Sequence, residues 1–213
     1  MKRAPFITFE GGEGTGKSTQ ITRLKDALLL QGIQVETFRE PGGTVGAEEI
    51  RKLLVEGDPA RWDGMTEALL MYAARRDLTQ KRILPTLASG VWGLSDRFFD
   101  STMAYQGFGQ DLGYETILKL NEVVMGDFQP DLTFVFQLDL NVGLGRAFGR
   151  GGAEDRFENK GISFHEKVME GYTEIIKRNP DRCVVINALQ DIDQVFSDIT
   201  KVIYERFGVE IPC

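Results

Sequence analysis

Histidine occurs once in the 213 residues and cysteine twice. His165 opens a helical segment beside Glu166 and Lys167, where it reads as a surface residue, so the chain offers no obvious general base. Cys183 falls in a strand-like run and Cys213 is the last residue; without C-x-x-C spacing they argue against a zinc or dithiol redox site and read as two free thiols. No apolar run approaches the ~18 residues that cross a bilayer. Met1-Lys2-Arg3-Ala4-Pro5 leads into a short strand-like segment instead of a signal-peptide apolar stretch, so a cytoplasmic protein without a membrane partner is expected. Positive charge is also in deficit. With 25 Lys and Arg against 32 Asp and Glu, a net charge of −7 argues against nucleic acid as the main partner, because that affinity comes from clustered cations. A Ser/Pro-rich linker and internal repeats are lacking too, so residues 1–213 are expected to form one domain.

What is present is an ordinary globular balance, 42% apolar and 27% charged, in which short β-rich runs alternate with helical-period segments. Strands are predicted at Phe6–Phe9, Gln34–Phe38, Val91–Ser95, Leu132–Leu138 and Cys183–Ile186. Helices are predicted at about Lys17–Leu30, Thr44–Val55, Met65–Lys81, Gly113–Val124, Val142–Phe148, Phe164–Arg178 and Ile192–Phe207. This alternation predicts an α/β fold, a five-stranded parallel sheet flanked by helices. Charged or Gly-rich stretches follow the strands, and ligands of such sheets bind beyond the carboxyl ends, so these stretches should share one crevice.

The first of them, Gly11-Gly12-Glu13-Gly14-Thr15-Gly16-Lys17-Ser18, fits G-x-x-x-x-G-K-S between a strand and a helix, followed by Thr19. Its backbone N–H groups should cradle the phosphates of a nucleoside triphosphate, with Lys17 reaching the β- and γ-phosphates and the Ser18 hydroxyl ligating magnesium. A GTPase would need D-x-x-G, which is absent, and N-K-x-D, which Asn159-Lys160-Gly161-Ile162 fails to complete. Seven arginines, Arg39, Arg51, Arg75, Arg97, Arg146, Arg150 and Arg156, fall where a crevice ligand could meet them. Each alone is more often a solvated surface charge or a salt-bridge partner, but Arg97 stands out beside Asp96 at a strand end. Asp96 suits either a helix N-cap or an acid that helps hold magnesium, and the roles can coexist. The missing general base is no obstacle if the acceptor is a phosphate monoester, whose second pKa of about 6 leaves it ionised at neutral pH.

The stretch Asp96-Arg97-Phe98-Phe99-Asp100-Ser101-Thr102-Met103-Ala104-Tyr105-Gln106-Gly107 resembles the D-R-[YFH]-x-x-S-[ST]-x-A-Y-Q-G signature of bacterial thymidylate kinases. Phe9 to Thr19, Arg39-Glu40-Pro41-Gly42-Gly43-Thr44, Tyr72-Ala73-Ala74-Arg75 and Asp155-Arg156-Phe157-Glu158 resemble the same family in the same order, over essentially the whole chain. The resemblance implies a P-loop nucleoside-monophosphate kinase fold, a homodimer, and transfer of the γ-phosphoryl group of ATP to dTMP with Mg2+. It implies that Glu13 meets the sugar of dTMP, that Arg39, Glu40, Pro41, Arg51 and Arg97 line its phosphate end, and that Arg75 and Thr102, with Ser101 and Gln106 nearby, read thymine. Tyr105 would crowd the 2′ position, and Asn187 and Ala188 would lie against adenine. Residues 146–158 would form the lid. Gly14 occupies the place of the cradle arginine found in other members, so the lid would supply that cation, first Arg150 and second Arg146. One departure is Met71, where the family usually stacks an aromatic ring on thymine. The competing expectations are a kinase for another monophosphate and a slowly ATP-hydrolysing switch protein.

Overall fold

The computed structural model describes residues 3–148 and 156–212. Five strands, β1 (Phe6–Gly11), β2 (Val35–Arg39), β3 (Trp92–Asp96), β4 (Leu132–Gln137) and β5 (Cys183–Asn187), form one parallel sheet in the order β2-β3-β1-β4-β5. The central strand β1 is buried along its whole length, as expected for the middle of a sheet covered on both faces. Its one internal hydroxyl, on Thr8, meets that of Thr133 on β4 at 2.8 Å, so neither is left unpaired between the layers.

Two helices, α1 (Lys17–Leu30) and α9 (Ile192–Phe207), cover one face through Ile21, Leu24, Leu28, Ile199 and Ile203. The other face carries the remaining long helices: α2 (Val45–Val55), α3 (Gly64–Leu78), α6 (Tyr114–Met125) and α8 (Ile162–Arg178), with the short α4 (Leu84–Ala88), α5 (Phe99–Thr102) and α7 (Leu140–Phe148) between them. Tyr72, Phe98, Met103, Ile117, Val168 and Tyr172 form that second core.

The strands and most helices stand within a few residues of the sequence expectation. The helix expected to end at Lys81 instead continues through a π-helical turn, Thr79–Ile83, into α4. Pro85 has no N–H to give the carbonyl four residues back and its ring crowds that carbonyl, so the chain widens there instead of stopping. A second π-helical stretch, Met103–Gly109, follows α5 where no element was expected. His165 also departs from expectation: it is buried, 3% exposed, with its ring edge-on to Phe164. Cys183 is a buried free thiol, and Cys213 lies outside the described residues.

Candidate functional site

The carboxyl ends of β1, β2 and β3 open into one cleft of about 350 Å³. Its first wall is the loop from Gly12 to Gly16 and the start of α1. Gly16 holds φ 86, a left-handed conformation natural to glycine, and no side chain caps the helix, nor does an acidic residue sit in its first turn. The first N–H groups of α1 thus have no partner inside the helix and form an anion site. Lys17 lies across the loop, donating to Gly12 O at 2.7 Å, Gly11 O at 3.2 Å and Thr15 Oγ1 at 3.2 Å. Burial pushes its ammonium down to about 8, the charge of Arg97 adds to this, and Glu13, Asp96 and Glu10 oppose it.

The loop leans directly on α7. A β-carbon on Gly14, at φ +69, would lie 2.2 Å from Gly143 O, and one on Gly143 would lie 2.8 Å from Glu13 O. Two backbones touch there, which leaves no room for an arginine at position 14. The β-carbon of Arg146 stands 3.0 Å from that same point, so an exposed cation springs from α7 beside the loop.

The opposite wall is built by the chain after β2 and β3. Arg97 takes φ 68, which directs its main chain from the strand into α5 and its guanidinium back across the cleft. That guanidinium donates to Glu13 Oε1 (2.5 Å), Gly11 O (3.1 Å), Ser101 Oγ (3.0 Å), Tyr105 OH (3.2 Å) and Tyr172 OH (3.4 Å). Tyr105 donates in turn to Glu13. Beneath them, buried Glu10 accepts from Phe98 N, Ser101 Oγ and Tyr172 OH; burial and then the Asp100 charge push its carboxyl up to about 7. At the floor, Arg75 Nε donates to Glu40 at 2.6 Å and its Nη2 donates to Thr102 Oγ1 and Phe98 O, both at 3.0 Å. Burial pushes Glu40 up to about 7 despite that guanidinium. At the rim, Arg51 donates to Pro41 O at 2.8 Å and Arg39 to both oxygens of Glu48 at 3.1 Å.

Near the cradle, Ser18 Oγ donates to Asp96 Oδ2 at 2.7 Å. Among the described residues no group of three or more His, Cys, Asp or Glu could hold a metal ion. A hydroxyl and one carboxylate suit magnesium, which keeps several waters and takes its remaining ligands from phosphate oxygens.

The cleft thus gathers Glu13 to Thr19, Arg39, Glu40, Pro41, Arg51, Met71, Arg75, Asp96, Arg97, Ser101, Thr102, Tyr105 and Gln106. Gly11, at the end of β1, and Gly12, at the start of the loop, are outside that lining. Asn187 and Ala188 lie at the end of β5, beyond β4, with Ala188 N donating to Gln137 O; they too are outside it. Arg150 lies outside the described residues. Arg156 does not meet the crevice: it is fully buried, pairing with Glu67 and donating to the carbonyls of Leu54, Asp58 and Pro59. Val55 and Phe157 line the cleft without having been expected there, Phe157 standing edge-on to Tyr105.

Chemically, one end of the cleft presents backbone amides and an ammonium to a polyphosphate, and the other presents guanidinium groups. Such a site holds two anionic groups against each other and needs no base when the acceptor is already ionised.

A family profile described as thymidylate kinase matches residues 9–199. Thymidylate kinase of Caulobacter vibrioides is 53% identical over 209 residues, covering 98% of this chain and 100% of the relative. That of Magnetococcus marinus is 45% identical, covering 96% and 97%. The crystal structure of thymidylate kinase from Ehrlichia chaffeensis superposes with a TM-score of 0.75 at 36% identity, covering 94% of this chain and 98% of that one.

Proposed function

Because the chain belongs to the thymidylate kinase family, we infer that it transfers the γ-phosphoryl group of ATP to dTMP, giving dTDP and ADP. The observation that carries this reading is the sharing of one cleft by the Lys17 cradle and the Arg97 and Arg51 guanidinium groups. ATP phosphates rest on the amides of Gly12 to Ser18, and Lys17 regains full charge against them. Asn187 and Ala188 take the adenine. Ser18 and Asp96 would hold Mg2+, which would supply positive charge to the phosphates of ATP.

On the acceptor side Arg39, Arg51 and Arg97 receive the dTMP phosphate, Glu13 and Tyr105 bound the sugar, and Arg75 with Thr102, Ser101 and Gln106 meets the base over Met71. Residues 146–158 act as the lid of this single kinase domain, excluding water and bringing a cation to the transferring group. Arg150→Ala is expected to lower kcat about 10³-fold with little change in either KM. An unchanged rate assigns that role to Arg146, whose position beside Gly14 suits it.

The protein works in this reading as a homodimer, supported by exposed apolar residues on three neighbouring helices: Val45 and Leu53 on α2, Met65 and Leu69 on α3, and Val123 on α6. No helix among the described residues is long and apolar enough to cross a membrane. An ADP-release assay tests the activity. Release only with dTMP is expected; release with another monophosphate moves the substrate, and slow release without any acceptor removes the kinase.

A further inference from the structure

Glu67, on α3, is fully buried and has no place in the chemistry above. Its Oε2 accepts from Arg156 Nη1 and from Lys160 Nζ at 3.2 Å; its Oε1 accepts from Gln106 Nε2 at 2.7 Å and from Gln110 Nε2. Arg and Lys only donate, so the carboxylate is held as an acceptor at both oxygens, and Gln106 meets it with the NH2 end of its amide. The other end, Gln106 Oε1, is then turned away. It is buried without a protein partner at the floor of the cleft, as is the donor Arg75 Nη1. Reversing the amide would set oxygen against oxygen in a buried place, where repulsion adds to the cost of leaving a polar group unmet.

We propose that Glu67 is a positioning residue that fixes which way round the Gln106 amide faces, and thereby sets the hydrogen-bond polarity the cleft offers to the acceptor's base. A fixed acceptor and a fixed donor on the floor of one cleft together complement an imide edge, in which an N–H adjoins a carbonyl oxygen. Cytosine presents the reverse, a bare ring nitrogen beside an amino group, and would leave both protein atoms unmet. The inference rests on dTMP being the acceptor.

The test is the ratio of kcat/KM for dTMP to that for dCMP in the wild type, Glu67→Gln, Gln106→Met and the double variant. Glu67→Gln allows the Gln106 amide to reverse, so its ratio should fall about tenfold or more. The ratio for Gln106→Met should fall as well, and the double variant should fall no further than Gln106→Met alone, because one residue acts through the other. Equal losses with both substrates in Glu67→Gln, or additive losses in the double variant, overturn the proposal. If Glu67→Gln fails to fold, amide NMR of the wild type decides. The Gln106 side-chain NH2 signals, identified by their loss in Gln106→Met, should be protected from solvent exchange with and without dTMP; free exchange overturns the proposal. A wild type that does not phosphorylate dTMP at all would refute the activity instead.

Discussion

A single methyl group at position 14 would meet the Gly143 carbonyl oxygen at 2.2 Å, in a left-handed conformation that already disfavours a side chain. Gly14→Ala must therefore push the cradle off α7. We expect kcat/KM to fall about 100-fold, the scale of an ångström-sized misplacement, while circular dichroism stays native; a near-wild-type rate would show that loop and helix are not in register. Lys17 supplies a second outcome. Its ammonium is half lost near pH 8 in the free protein and is favoured again by bound phosphate. Nucleotide binding at pH 8 should therefore take up about half a proton at this residue, and at pH 6, where Lys17 is charged in both states, none. Calorimetry in buffers of differing ionisation enthalpy measures it, and proton release at pH 8 would contradict it. The cleft side chains that follow strand ends, Glu13 to Thr19, Arg39 to Pro41, Asp96 and Arg97, were legible because a parallel sheet must put its ligand there, whereas Arg51, Met71, Arg75 and Ser101 to Gln106, which lie on helices, were assigned only through the family resemblance. Arg156 and His165 were not legible: an arginine near a Gly-rich stretch looks the same whether solvent or a carboxylate on a distant helix receives it.

The strands and their neighbours could be read from apolar runs, but the wall of the cleft could not. Phe99–Gly109 has no simple 3.6-residue pattern because α5 widens into a π-helical stretch, which turns Ser101, Thr102, Tyr105 and Gln106 toward one side. What holds this segment is close contact with α8. A β-carbon on Gly171 would lie 3.0 Å from Ala104 Cα and 3.0 Å from the Phe108 ring, and one on Gly109 would lie 2.6 Å from the Phe164 ring. Gly171→Leu should cost about 1–3 kcal/mol by overpacking, read as a lower urea midpoint, and should raise KM for dTMP more than for ATP. Equal shifts in both constants would mean that α8 supports the cradle as much as the wall.

For the molecule as a whole, apolar side chains left outward on α2, α3 and α6 set the expected assembly. Leu69→Glu places a charge in the proposed interface and should halve the mass seen by light scattering; an unchanged dimer would move the interface elsewhere. Arg97 joins the parts of one protomer in another way, for its guanidinium is held by β1, the cradle, α5, the π-helical stretch and α8 together. It does so from a main-chain conformation few side chains accept. An inhibitor anchored on that guanidinium would give drug resistance few routes, since a substitution that evades the compound also dismantles the ground on which five elements meet.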